Sequence, residues 1–354
     1  MAGRIRELLP ESEILFIGAL GKMEMELVPR EGYEIRGVPV SNLSRSLSVE
    51  GIRHNIKFVS DLIKSGPACR KIIEEFKPDV VIGTGGYVCY PVLHEAAKLG
   101  IPTVVHESNA EPGLTTRQLE KCVDKIMVGF AEARENYKHP EKVVVTGTPV
   151  RLGFMRSDKS AARRALGIAE DEPLVVSVWG SLGATEMNKT VARMIALAMD
   201  GAERPFRLVH SAGKRGIKSM TEYMSEELGL SDWKEAGFDV VDYIYDMPLL
   251  MAAADIVLCR SGASTLAELT AIGKPAILVP SPNVVNNHQE KNARVLAVVL
   301  LESDAGADVM LSTINGLLSD KEKLAEMEEH MRDLAVENAT DEITSIVLSL
   351  ASEE

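Results

Sequence analysis

Two well-separated stretches of this chain follow the same grammar, and that repetition constrains the fold more than any other feature. The first, PDVVIGTGGYVCYPVLHEAAKLGIPTVVHE (Pro78–Glu107), opens on a short β-branched run, Val80–Ile82, and passes a turn carrying Gly83, Gly85 and Gly86. An Ala/Leu-rich helical stretch follows, Gly100 ends it, and Ile101–Val105 start a new strand. The second, ADIVLCRSGASTLAELTAIGKPAILVPSP (Ala254–Pro282), repeats that order: strand Ile256–Leu258, small-residue turn, helix to about Ile272, stop at Gly273, strand Ala276–Val279. Neither apolar run alternates cleanly, which suits strands covered on both faces of a parallel sheet. Two such βαβ units in 354 residues predict two α/β domains in tandem, each built around a parallel sheet.

Further strands are expected at Ile14–Ile17 and Lys142–Val145 in the first domain, and at Leu174–Trp179, Phe206–His210 and Phe238–Val241 in the second. Gly147-Thr148-Pro149 reads as the connector and Ser160–Gly167 as the first helix beyond it. The acidic stretch Asp320–Ala335 has helical periodicity, and a last helix near Asp341–Leu350 is placed to pack back across the boundary. The expected division is residues 1–150, 151–335 and a returning helix in 336–354. The chain opens in a helical segment, Arg4–Leu9, rather than in a strand and glycine-rich turn.

Composition narrows the function. A formal net charge of -13, from 39 Lys plus Arg against 52 Asp plus Glu, argues against a nucleic-acid partner, which needs a concentrated basic face. Cys69, Cys89, Cys122 and Cys259 are scattered without a CxxC pair, so core cysteines in a reducing compartment are expected, and no metal. No apolar run reaches the roughly eighteen residues of a spanning helix, and MAGRIRELLPESE is not a secretory signal; membrane contact is expected to be peripheral.

Several strand ends carry chemistry. In VVSVWGSLGATEMN the turn at Gly180 and Gly183 and the helix starting near Ala184 offer unpaired N–H groups to a diphosphate, with Ser181 as a further donor and Asn188 one turn on; simple turn geometry explains them too. In CRSGASTLAEL, Arg260 leaves the strand, Gly262 permits close approach, and Glu268 can bind a ribose diol. A capping box, with Ser264 or Thr265 as N-cap paired to Glu268, is the competing explanation. NNHQEKNA (Asn286–Ala293) is dense in amides suited to sugar hydroxyls or to a polar helix start. Arg151, just past the connector, is a cation placed for diphosphate charge. In the first domain the turn before Tyr87 and the HESNAEPG segment (His106–Gly113) follow strands on the ligand-binding side of such sheets. Glu107 and Asn109 there are candidates to orient an acceptor hydroxyl, whereas His106 also reads as a structural histidine.

Taken in order, GTGGYV, HESNAEPG, GTPVR (Gly147–Arg151), GSLGA (Gly180–Ala184), CRSGASTLAEL (Cys259–Leu269) and NNHQEKNA resemble the MurG family of glycosyltransferases over nearly the whole chain. The resemblance implies a GT-B fold: two Rossmann-like domains with parallel sheets around an interdomain cleft. It implies inverting transfer of N-acetylglucosamine from UDP-GlcNAc to the 4-hydroxyl of undecaprenyl-diphosphate-linked muramyl pentapeptide (lipid I to lipid II), on the cytoplasmic side of the bacterial membrane. Carried over, Arg151 and Ser181 would contact the nucleotide, Ile244 would meet uracil through its backbone, and the turn before Ala263 would face the diphosphate. Glu268 would bind the ribose, Gln289 would read the sugar, and Tyr87, Glu107 and Asn109 would line the acceptor side, with Glu107 and Asn109 nearest the chemistry. No cofactor is implied beyond the donor substrate.

This chain departs from the family pattern in three places. The family opens with a strand and a GGTGGH loop, which has no counterpart here; weakened catalysis and a less stable first domain are the expected consequences. Trp179 and Leu182 stand where glycine and glutamine are usual, and the stretch after Arg294 differs. Ile56–Ile73, mixing Phe58, Val59, Leu62 and Ile63 with Lys57, Lys64, Arg70 and Lys71, reads as an interfacial helix for anionic lipid or as a helix packed on the sheet. A UDP-GlcNAc 2-epimerase and a non-catalytic UDP-sugar binder are the rival readings; a NAD-dependent dehydrogenase is disfavoured because neither glycine turn has the fingerprint spacing.

Overall fold

Short β-branched runs make the strands and Ala/Leu-rich stretches between them make the helices, in a computed structural model that describes residues 1–40, 64–155, 158–180, 184–201, 206–281 and 298–352. The chain divides into two compact units: Met1–Pro149 with Asn338–Glu354, and Val150–Glu337.

The first unit contains β1 (Leu15–Ala19), β2 (Glu34–Val38), β3 (Val81–Gly83), β4 (Thr103–Glu107), β5 (Lys125–Val128) and β6 (Val143–Val145). They form two parallel sheets, β1-β2 and β3-β4-β5-β6. Successive residues of one strand face opposite sides of the larger sheet. Val105, Ile126 and Val128 join a core with Val38, Cys69, Ile73 and Leu93. Val104 and Met127 lie on the other side with Ile343, Val347 and Leu350. Those last three belong to the helix Ala339–Ser352, whose apolar stripe therefore completes this unit. Burial of each such side chain is worth about 1.5–3 kcal/mol, enough to hold a terminal helix in place.

The segment expected to meet lipid starts outside the described residues; Phe58, Val59, Leu62 and Ile63 all fall there. In the described part a helix covers 64–76, and Cys69 and Ile73 are buried in the core, which matches a helix packed on the sheet. Arg70 and Lys71 pair with Glu74 and Glu75.

The second unit contains β7 (Leu174–Val178), β8 (Arg207–Ser211), β9 (Phe238–Val241), β10 (Ile256–Cys259), β11 (Ala276–Leu278) and β12 (Val298–Val299) in one parallel sheet ordered β9-β8-β7-β10-β11-β12. This is the doubly wound order in which the chain starts at the centre, winds to one edge, returns, and winds to the other. Both faces are covered: Val175, Leu208, Ile256, Leu258 and Ile277 pack on one side, and Leu174, Val176, Val257, Cys259 and Leu278 on the other. Beyond Arg294, the chain resumes in β12 and the helix Ala307–Ser319, whose Met310, Ile314 and Leu317 bury against the first of these faces.

Candidate functional site

Where a doubly wound sheet reverses direction, two neighbouring strands send their connections to opposite faces and leave a crevice at their C-terminal ends. In the second unit those strands are β7 and β10. Beyond β7 come Trp179 and Gly180, the latter at φ +86, a left-handed conformation that favours glycine. Residues 181–183 lie outside the described set, Ser181 among them. Ala184 then caps the helix Thr185–Met199 in an extended conformation.

Beyond β10, Arg260 and Ser261 lead to Gly262, which is extended and is itself the N-cap of the helix Ala263–Ala271. Among the described residues no side chain caps this helix end, so its first N–H groups carry the partial positive charge of an open N-terminus. The expected N-caps Ser264 and Thr265 instead lie inside the helix, because the turn closes two residues earlier at Gly262. The capping-box alternative for Glu268 is therefore not realised. Ser261 beside this end is buried, and its hydroxyl has no partner among the described residues.

Glu268 lies farther along the same helix. Among the described residues its one charged partner is Arg151, whose Nε is 3.9 Å from Oε1, too long for a hydrogen bond. Burial pushes the Glu268 carboxyl above its ordinary range, and Arg151 pulls it back. Such a carboxylate keeps its acceptor positions for a ligand. Arg151 is more than half exposed, free to turn toward an anion. Ile244 sits between Tyr243 and Tyr245, whose rings meet edge-on with centroids 5.0 Å apart. Its side chain is buried in the core, so the backbone is the part this residue can present. Gln289 lies outside the described residues.

Arg260, read from sequence only as a residue leaving the strand, is already engaged. Its Nη1 donates to the carbonyls of Val279 and Pro280, each at 3.2 Å, and to Glu302. Its guanidinium stands 5.5 Å from the centre of the Trp179 ring. Sequence reasoning missed Glu302 and His210. The signal available for His210 was a lone histidine inside the apolar run RLVHS.

In the first unit the loop after β4 is held by Glu107. Oε1 accepts from the Asn109 backbone N–H at 3.1 Å and from Asn109 Nδ2 at 2.9 Å. Oε2 accepts from the Gly113 N–H at 2.9 Å and from Thr116 Oγ at 2.8 Å. A carboxylate has about four acceptor positions, and all are filled. The expectation that Glu107 acts on the acceptor changes accordingly: the geometry makes it the clamp of the His106–Thr116 loop. Among the described residues the carboxamide oxygen of Asn109 accepts no hydrogen bond.

His106 is structural. Because a carbonyl only accepts, Nε2 carries the proton and donates to Gly147 at 2.8 Å, while Nδ1 faces the Ser108 hydroxyl at 3.3 Å; burial holds the ring neutral by lowering its pKa. Tyr87 is exposed after Gly85 and Gly86, both at positive φ.

The glycosyltransferase family 28 N-terminal domain matches residues 4–128, and the family 28 C-terminal domain matches residues 174–343. A UDP-N-acetylglucosamine--N-acetylmuramyl-(pentapeptide) pyrophosphoryl-undecaprenol N-acetylglucosamine transferase of Acetivibrio thermocellus is 41% identical over 98% of this chain and 92% of its own length. The protein of the same name from Listeria welshimeri is 36% identical over 98% and 93%. Among solved structures, Acinetobacter baumannii MurG aligns with a TM-score of 0.66 at 23% identity, covering 98% of this chain and 94% of that one. A UDP-GlcNAc 2-epimerase from Neisseria meningitidis bound to UDP-GlcNAc aligns at 0.61 with 15% identity, over 96% and 92%. With the parallel sheets of the two units, these likenesses show a GT-B fold.

Proposed function

Because this chain belongs to the MurG family of glycosyltransferases, we infer that it transfers N-acetylglucosamine from UDP-GlcNAc to the lipid-diphosphate-linked muramyl pentapeptide, converting lipid I to lipid II in peptidoglycan synthesis. The observation that carries this reading is identity of about two residues in five, along nearly the whole chain, with transferases of that one name. The likeness to epimerases is one of fold.

In the proposed arrangement the donor lies at the β7/β10 crevice. Its diphosphate meets the open N-terminus at Ala263 and the connection after Gly180, Glu268 accepts from the ribose hydroxyls, and the Ile244 backbone faces uracil. Arg151 turns to the diphosphate. Ser181 and Gln289 take the nucleotide and sugar contacts that the family pattern gives them.

The acceptor 4-hydroxyl attacks the anomeric carbon and inverts it as the bond to UDP breaks, and the hydroxyl proton is released to solvent. Negative charge then grows on the leaving diphosphate, where fixed N–H dipoles and Arg151 oppose it without having to reorganise. The charge is met by the chain's own groups, and the proposal includes no resident metal or cofactor. On the acceptor side Glu107 fixes the loop and Asn109 and Tyr87 face the substrate. The acceptor is lipid-anchored, and no described helix is long and apolar enough to cross a membrane, so we place the chain peripherally on the inner face.

The test is incubation with labelled UDP-GlcNAc and a lipid I analogue, with and without acceptor. Formation of the lipid-linked disaccharide is expected. Release of a 2-epimer without acceptor, or donor binding with no product, would overturn the transferase reading. Flotation with anionic and neutral vesicles tests the placement, and lack of binding to either would remove it.

A further inference from the structure

Two polar residues interrupt apolar strands in the second unit: Ser177 in LVVSV and His210 in RLVHS. They are direct partners in the β7/β8 register, both wholly buried. A buried polar pair needs its hydrogen bonds satisfied, and here the satisfaction extends beyond the pair. Trp179 Nε1 donates to Ser177 Oγ at 3.0 Å, and the Ser177 hydroxyl meets His210 Nδ1 at 2.9 Å. His210 Nε2 meets Asn188 Oδ1 at 3.2 Å, and Asn188 Nδ2 donates to the Ala212 carbonyl at 2.8 Å.

The direction of this chain is fixed from the Ala212 end. A carbonyl only accepts, so Asn188 turns its amide nitrogen to Ala212 and its oxygen to His210; the neutral ring then carries its proton on Nε2, and Ser177 donates to Nδ1 while accepting from the indole N–H. Burial pushes the imidazolium down to about 3, so the ring keeps that pattern at any working pH. Gly216 closes the far end, since a Cβ there would collide with the Ala212 carbonyl and with Asn188 Nδ2.

The placement of the two ends matters. Trp179 is the last residue before Gly180, and Asn188 lies in the first turn of the helix capped by Ala184. The chain therefore ties the end of β7, at the β7/β10 crevice, to the first turn of the helix Thr185–Met199. Through its ring Trp179 also lies against Arg260, which is tied to Val279, Pro280 and Glu302 at the end of β10. We propose that the Trp179–Ser177–His210–Asn188 chain is a positioning device for the donor diphosphate, locking the ends of β7 and β10 in one arrangement before the nucleotide arrives. Loosening this framework weakens the contacts to the diphosphate in the bound donor and in the transition state alike, so the loss is read in donor affinity and not in kcat.

The proposal rests on the donor-site reading given above, and the full chain can test the two separately. Trp179→Phe removes the N–H donor and keeps an aromatic ring against Arg260; Ser177→Ala breaks the chain in the middle. Each is expected to raise the Kd for UDP and the KM for UDP-GlcNAc about three- to tenfold, the range of one ordinary hydrogen bond. The expected kcat at saturating donor stays within about twofold and the acceptor KM does not move. The double variant is expected to match Ser177→Ala alone, because without Ser177 the indole N–H has no acceptor to lose. Wild-type UDP affinity in a folded Trp179→Phe variant overturns the proposal, as does a lowered Tm with unchanged donor affinity in Ser177→Ala. A wild-type chain that does not bind UDP removes the donor-site reading, and the proposal with it.

Discussion

The two units wind their strands by the same rule and reach different results. In the second, the strand that opens the unit, β7, lies in the middle of one six-stranded sheet, and its end and the end of β10 make the crevice. In the first, β1-β2 and β3-β4-β5-β6 are separate sheets, and among the described residues no backbone pairing joins β1 to β3. By the same winding, β1 and β2 are the positions to one side and β3 to β6 those to the other. The middle position, whose following loop would face a ligand, is held by no described strand. The two sheets cohere through side chains, with Ile17 and Val38 packing into one cluster with Cys69, Ile73 and Val81. The contrast is between a half whose central strand and following turn are both described and one whose described strands form two sheets joined only through side chains.

The strongest attempt to break this comparison is to supply a central strand. A chain extended upstream by a strand and a GGTGGH-type loop is expected to turn over faster by roughly 10²-fold, the scale of one pre-organised set of donors to a developing charge. Its UDP affinity is expected to change little, and equal turnover with and without the extension would dissolve the contrast. Next in size is the Glu107 clamp. Glu107→Ala removes the acceptor of two part-buried bonds, from the Gly113 and Asn109 N–H groups, and of the buried Thr116 hydroxyl, at a cost of about 0.5–1.5 kcal/mol for each bond lost. The first unit should unfold earlier in denaturant and the acceptor KM should rise, with UDP binding by calorimetry untouched.

The elements legible in the sequence are those whose periodicity and punctuation agree. β3, β4, β10 and β11 fall within a residue or two of their expected places because each run of Val, Ile and Leu is bounded by a glycine turn. β2 and β5 were not legible: EIRGV carries a glycine and two charges, and KIMV is four residues wedged between Asp124 and Gly129. The helix Glu24–Arg30 holds Pro29 in its last turn, where the sequence reads as a break. In the candidate site the glycine turn before the helix was legible, whereas its uncapped end was not, since Ser264 and Thr265, expected as N-caps, lie inside the helix. The saturation of Glu107 was not, since three of its four bonds come from loop residues whose course no periodicity fixes. Arg163 shows the same limit: nothing in KSAARRAL distinguishes it from Arg164. Yet it is buried and donates to the carbonyls of Ala169, Glu172 and Ala253 and to Asp255.

A buried histidine in each unit offers a pH test of whether the units stand apart energetically. The His210 imidazolium is pushed down to about 3, whereas the unfolded chain holds its proton up to about 6.5. Between those values the unfolded state binds more protons, so this contribution to stability is complete above about 6.5 and is lost as pH falls toward 3. From pH 7 to pH 5 the second unit should lose about 2 kcal/mol on this account. His210→Gln is expected to flatten that acid limb in urea melts of the second unit and to leave the limb of the first unit, where His106 also resists protonation, unchanged. A variant with the wild-type acid limb in both units would show that His210 does not set it.

The smallest expected effect separates the two carboxylates on which the contrast between scaffold and ligand-binding groups depends. Glu107 accepts four hydrogen bonds from three residues, and Glu268 has Arg151 at 3.9 Å and no hydrogen bond among the described residues. Because burial raises the Glu268 pKa in the folded chain, the folded state binds its proton more tightly than the unfolded state. Ionisation therefore opposes folding above that pKa, and the opposition fades as pH falls through it. Glu268→Gln should leave stability at pH 7 unchanged or slightly raised, with the gain disappearing in acid. It should also weaken UDP and UDP-GlcNAc binding about tenfold, the loss expected when a charged acceptor of two hydroxyl hydrogen bonds becomes a neutral amide. If Glu268→Gln instead lowers the Tm and spares the nucleotide, then Glu268, like Glu107, serves the fold.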